Sequence, residues 1–137
     1  MKILLWLDDM RDPFLGDWLL SYAPDFGENR ENVVWVKNYE DFTAWIENNG
    51  LPYKVAFDHD LGQDVADEKV ENGMSKRKSR KEKKGIKDGK DAANWMVDYC
   101  LDNEKDIPFF TIQSANPTGA DNIRGLLLGA MKHINKI

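Results

Sequence analysis

Cysteine is nearly missing from this sequence. Cys100 stands alone, so an internal disulfide is excluded and a cysteine-based zinc site cannot be built. With only two histidines, His59 and His133, a histidine-rich metal centre is excluded as well. No glycine-rich phosphate loop of the Walker or dinucleotide type is present. Long apolar runs are lacking too: the first is broken by Asp8, too early for a signal peptide or a membrane span. These absences point to a cytoplasmic chain with no membrane association and no disulfide-linked partner.

What is present is enough for a packed core. Hydrophobic residues make up 42% of 137 residues and include five Trp and six Phe, which argues against global disorder and for one domain spanning 1–137. The net charge of −5 hides a separation of charge. From Ser75 to Lys87 eight basic residues face one acid, Glu82, so this segment is +7 and the remainder carries −12. Such a split serves either partner binding or internal neutralisation.

Taken in order, Lys2 to Leu7 is an apolar run of strand length. Asp12-Pro13 reads as an N-cap with proline at the first helical position, opening a short amphipathic helix through Phe14, Trp18 and Tyr22. Ala23 to Asn32 reads as loop. Val33 to Val36 is a β-branched strand, and Asn38 caps a helix from Tyr39 to Asn49 that buries Phe42, Trp45 and Ile46 and is stopped by Gly50. Lys54 to Phe57 is a third strand. A basic insertion without periodicity follows over about 63–88. Asp88 or Asp91 starts a helix with Ala92, Trp95, Met96, Tyr99 and Cys100 on one face; Phe109 to Gln113 is the fourth strand; the last helix turns Ile123, Leu126, Leu127, Ala130, Met131 and Ile134 inward. Strand and helix alternate four times, which predicts a doubly wound α/β three-layer sandwich with a four-stranded parallel sheet.

The first and third strands end alike. Ile3-Leu4-Leu5-Trp6-Leu7 runs into Asp8-Asp9, and Val55-Ala56-Phe57 runs into Asp58-His59-Asp60. The carboxyl ends of parallel strands are where open α/β sheets bind ligands. Side by side, these strands would gather Asp8, Asp9, Asp58 and Asp60 within a few ångströms. One Asp after a strand is ordinary turn or cap chemistry; two acidic groups at equivalent ends favour a site for a hard cation such as Mg²⁺.

An acidic pair after strand one, an Asp after strand three and a small hydroxyl after strand four resemble the layout of response-regulator receiver domains, a flavodoxin-like fold. That resemblance implies Mg²⁺ held by Asp8 or Asp9, Asp58 at the phosphate, and Ser114 bonded to a phosphoryl oxygen. Receivers continue into a fifth strand ending in a Lys, whereas this chain stops after its fourth helix, so a sheet truncated of that strand is expected. More specifically, Leu7-Asp8-Asp9-Met10-Arg11-Asp12-Pro13, Phe57-Asp58-His59-Asp60-Leu61-Gly62 and Ser114-Ala115-Asn116-Pro117 resemble the cyclic-phosphate-processing receiver-like family, common in phages and bacteria. That family usually has His-Ser where this chain has Gln113-Ser114, a departure that removes one candidate acid or base. The resemblance implies metal-dependent hydrolysis of a phosphate ester, above all a cyclic phosphate on RNA or a nucleotide. The alternatives are a non-catalytic receiver-like module that binds Mg²⁺ and a protein or nucleic-acid partner, or a phospho-accepting receiver.

Within that chemistry Asp8, Asp9 and Asp58 are the metal candidates and Asp58, His59 and Asp60 the catalytic ones. Histidine is the natural proton carrier, although strand alternation turns His59 away from its neighbours, where a structural role suits it equally. Arg11 offers a bidentate phosphate contact or an ion pair with Asp8, Asp9 or Asp12; Arg124 is a second, weaker candidate. Ser114 and Asn116 suit either a phosphate or the cap of the last helix. Lys76, Arg77, Lys78, Arg80, Lys81, Lys83 and Lys84 read as a nucleic-acid contact through phosphates, or as a solvated loop against the acidic body.

Overall fold

A computed structural model describes residues 2–61 and 86–135. Its elements run β1 (Leu4–Leu7), α1 (Trp18–Tyr22), β2 (Val33–Val36), α2 (Tyr39–Asn49), β3 (Lys54–Phe57), α3 (Gly89–Asn103), β4 (Phe109–Ile112) and α4 (Pro117–Ile134). All three strand pairings are parallel, in the order β2-β1-β3-β4. This is the doubly wound α/β sheet that the alternation of elements predicts, in the receiver-like form that the resemblance implies, with four strands among the described residues.

Alternation along the strands sorts the core into two layers. Leu5, Leu7, Val55 and Phe57 point to the face covered by α2, α3 and α4, where they meet Phe42, Ile46, Met96, Ile123 and Leu127. Leu4, Trp6 and Ala56 point to the other face and meet Leu19, Ala23 and Phe26. At the centre of the thicker layer the Phe42 and Phe57 rings lie 5.7 Å apart at 50°. Truncating such a buried ring costs about 3–5 kcal/mol, so Phe57→Ala would empty the layer directly beneath Asp58.

Register then sets the site. Leu7 is paired with Phe57 and Phe57 with Ile112, so Asp8, Asp58 and Gln113 each follow the last paired residue of neighbouring strands. Backbone bonds continue the ladder one step further, from Asp58 N to Leu7 O (3.0 Å) and from Gln113 N to Phe57 O (2.9 Å).

Four features differ from the sequence reading. The first helix starts at Trp18, not after Asp12-Pro13, because Asp12 folds a local turn instead: its Oδ1 accepts from Phe14 N at 2.9 Å and its carbonyl from Leu15 N at 3.1 Å. Gly16 follows with φ of +58°, a left-handed residue that ends this turn before the helix begins. The stretch 23–32 is not simple loop, since 3₁₀ turns form at Pro24–Phe26 and Arg30–Asn32. Two strands are shorter than expected: β1 starts at Leu4 and β4 ends at Ile112.

Candidate metal and phosphate site

Asp8, Asp9 and Asp58 meet at the carboxyl ends of β1 and β3. Each offers a carboxylate oxygen, and these oxygens lie within 4.8 Å of one another. The residues are 1%, 4% and 6% exposed, against a strong general tendency of Asp to stay in water. Three buried like charges cannot all persist at neutral pH without compensation. Burial, then the charges of Asp8 and Asp9, raise the Asp58 pKa to about 8; Arg11 opposes the rise, and a side-chain hydrogen bond with Asp9 adds to it.

The local backbone aims these groups. Asp8 N is bonded to Val36 O at 3.1 Å, and Trp35 Nε1 donates to Asp8 O at 2.7 Å. Asp8 Oδ1 accepts from Met10 N (3.0 Å) and Arg11 N (2.8 Å), which turns the chain sharply after the strand. Asp8 Oδ2 is left buried with no hydrogen-bond partner, 3.7 Å from Arg11 Nη1. An orphaned buried carboxylate oxygen inside an all-oxygen donor set is what a hard divalent cation would satisfy, so the residues fit Mg²⁺.

Arg11 is held on three sides. Its Nη1 donates to the Gln113 carbonyl, Asp8 Oδ2 is near, and the guanidinium carbon lies 5.0 Å from the centre of the Trp18 ring. The ion pair and the phosphate contact are therefore compatible roles for Arg11: it is near Asp8, and a guanidinium has further donors to offer. Arg124 instead pairs with Asp121 of its own helix at 2.8 Å.

Asp60 is not part of the cluster, contrary to the expected gathering of four acids. Its exposed side chain lies beside the imidazole, Oδ1 being 3.0 Å from His59 Nδ1. The extended conformation does not persist past Phe57, and that is the condition under which Asp58 and Asp60 would share a side. His59 contacts Asp60, Asp88 and Gly119, none of them a member of the cluster. Ser114 Oγ accepts from Asn116 N at 3.1 Å, and Asn116 Oδ1 caps α4 through Gly119 N at 3.0 Å. His133 is exposed in the last turn of α4. Lys76, Arg77, Lys78, Arg80, Lys81, Lys83 and Lys84 lie outside the described residues.

Several participants escape a reading of spacing alone. Trp18 and Trp35 are core aromatics by composition, yet one carries Arg11 and the other fixes Asp8. Asp88 and Asp91 form a reciprocal capping box, with bonds of 3.0 and 2.9 Å, which resolves the choice between them by using both. Gly89 is the least visible. A Cβ there would overlap the Asp58 carbonyl, so only glycine lets α3 start against the site.

A sequence model of the cyclic-phosphate processing receiver domain matches residues 3–129. The chain belongs to this family. No curated protein and no solved structure matches it. In this cyclic-phosphate processing receiver domain the acidic cluster stands where a receiver site is expected, on the ends of two adjacent central strands. Among the described residues no helix is long and apolar enough to cross a membrane.

Proposed function

We propose that this receiver domain is a divalent-metal-dependent phosphoesterase that opens a cyclic phosphate at an RNA end or in a nucleotide. The observation that carries the reading is the trio of buried carboxylates with an orphaned Asp8 oxygen, in a chain of this family. Asp8, Asp9 and Asp58 would hold Mg²⁺. When bound, the ion supplies Lewis acidity at a phosphoryl oxygen. Arg11, already oriented by Trp18 and the Gln113 carbonyl, would present its remaining N–H groups to the same phosphate. Burial keeps bulk water from screening these charges, which strengthens both contacts.

The basic residues 76–84 would add non-specific attraction to RNA phosphates, in the cytosolic setting proposed for this chain. Replacing Lys76, Arg77, Lys78 and Arg80 with Ser should then weaken RNA binding and flatten its salt dependence; unchanged binding removes this role.

One observation favours a second reading, a non-catalytic module that binds Mg²⁺ and a partner. Ser114 and Asn116 are uncharged and each engages a side-chain oxygen in a local backbone hydrogen bond, so neither brings a charge to the cluster. Incubation with 2′,3′-cyclic nucleotides and Mg²⁺ separates the two. Turnover by the parent and none by Asp58→Asn supports the enzyme. Divalent binding without turnover supports the module, and stable labelling by a small phosphodonor would identify a phospho-accepting receiver.

A further inference from the structure

We infer that His59 is a positioning residue for the metal site rather than its proton carrier, an inference that rests on the metal reading of Asp58. Both nitrogens of its imidazole face carboxylates, Nδ1 within hydrogen-bonding distance and Nε2 at ionic-contact range. Nδ1 lies 3.0 Å from Asp60 Oδ1 and Nε2 lies 3.6 Å from Asp88 Oδ2. A general acid or base must keep one ring nitrogen for the substrate, and here each nitrogen faces a carboxylate of the protein itself.

The ring also closes a gap between three elements. It packs so tightly on the first turn of α4 that a Cβ at Gly119 would overlap it. The same Gly119 is fixed from the other side, where its N–H reaches the Asn116 cap. Asp88, beside Nε2, is the N-cap of α3, and Gly89 N donates to His59 O at 2.8 Å. Gly89 in turn lies against the Asp58 carbonyl. An unbroken line of contacts therefore runs from the start of α4, through the imidazole, to the start of α3 and on to the backbone of Asp58. What fixes that backbone narrows the directions open to its carboxylate.

Supporting groups of this kind typically carry about 10–100-fold of metal affinity. The test uses the full chain with Mg²⁺ titrations by calorimetry, together with amide hydrogen exchange at Gly89 in metal-free protein. His59→Ala should lose about tenfold or more in Mg²⁺ affinity. It should also expose the Gly89 amide to faster exchange. His59→Gln keeps a donor and an acceptor at the ring's place without a proton that titrates near neutrality, and should recover most of the affinity and the protection. Gly119→Ala leaves the imidazole in the chain but pushes it off α4, and should imitate His59→Ala.

The inference is overturned if His59→Ala changes neither Mg²⁺ affinity nor Gly89 exchange. It is equally overturned if His59→Gln binds Mg²⁺ normally and loses one limb of the pH–rate profile, the signature of a lost proton carrier. Should His59→Ala fail to fold, the contrast between His59→Gln and Gly119→Ala decides, because a proton carrier predicts lost turnover in the first with Mg²⁺ affinity kept in both, and positioning predicts lost Mg²⁺ affinity in the second. A parent that binds no divalent ion would instead remove the metal reading itself, and Gly89 exchange alone would then show whether the clasp exists.

Discussion

The two ends of this sheet are built from the same four strands and solve opposite problems. At the carboxyl end Asp8, Asp9 and Asp58 are buried, close together and incompletely bonded. At the amino end the strands begin in aromatic contacts: Tyr53 lies 5.2 Å from Phe109 edge-on and 6.4 Å from Phe26, with the Lys2 ammonium 4.7 Å from the Tyr53 ring centre. Every one of those contacts is mutually favourable. Phe109 is 59% exposed, yet a single exposed ring on an edge strand needs no special explanation. The unsatisfied end, not the greasy end, is where stability has been given up, as it is at sites that bind or react.

The sharpest way to break the contrast is Asp58→Asn. Removing one charge from a buried ionic contact costs about 3–5 kcal/mol, which corresponds to a loss of about 1000-fold in Mg²⁺ affinity by calorimetry. The same substitution relieves repulsion in the metal-free protein, so its melting temperature at pH 8 should rise. A fall in both quantities would mean that Asp58 holds the fold together and is not a strained ligand.

Gly89→Ala comes next. The new Cβ would meet the backbone carbonyl of Asp58, which cannot rotate aside as a flexible side chain would. Overpacking of this sort costs about 3 kcal/mol, and denaturant unfolding should show it. Unchanged stability would show that α3 can slide away from the site.

How much of this was legible in the sequence follows from which signals are local. Apolar runs ending in Asp, the Asn38 and Asp88 caps and the helical stripes each depend on a few adjacent residues, and they placed the strands, the last three helices and the trio of acids. The first helix went wrong because Asp12-Pro13 has the chemistry of a cap but also that of a turn, and Gly16 two residues after Phe14 tips the balance towards the turn. Asp60 stays outside the cluster because a shared side with Asp58 needs extended backbone beyond Phe57, where the strand stops. The supports of the site, Gly89, Gly119, Trp18 and Trp35, come from parts of the chain far from the acids they serve. Only the fold brings them together.

A third prediction uses pH. In the folded chain Asp58 keeps its proton up to about 8, whereas its ordinary value is 3.8. Between those values the folded state binds the extra proton, so the metal-free protein loses stability as pH rises through this window. A cation needs the carboxylate, so Mg²⁺ affinity should climb with pH by at most about tenfold per unit and level off above about 8. Binding should release up to one proton, which calorimetry in buffers of different ionisation enthalpy would count. An affinity flat from pH 5 to 8 would show that Asp58 is already ionised before the ion arrives. Asp58→Asn should flatten the stability profile of the metal-free protein over the same window.

The smallest effect belongs to the other end of the sheet. Tyr53→Ala removes one partly buried ring and its contacts with Phe26, Phe109 and Lys2. Aromatic pairs contribute about 0.5–1.5 kcal/mol beyond their buried area, so a loss of about 2 kcal/mol is expected in urea unfolding. Because Tyr53 lies before β3 and Asp58 after it, the whole length of the strand separates the ring from the acids. Mg²⁺ affinity should therefore stay as in the parent even as the midpoint falls. If affinity falls together with stability, the two ends are mechanically coupled through β3, and the division of labour between them is not built into the sheet.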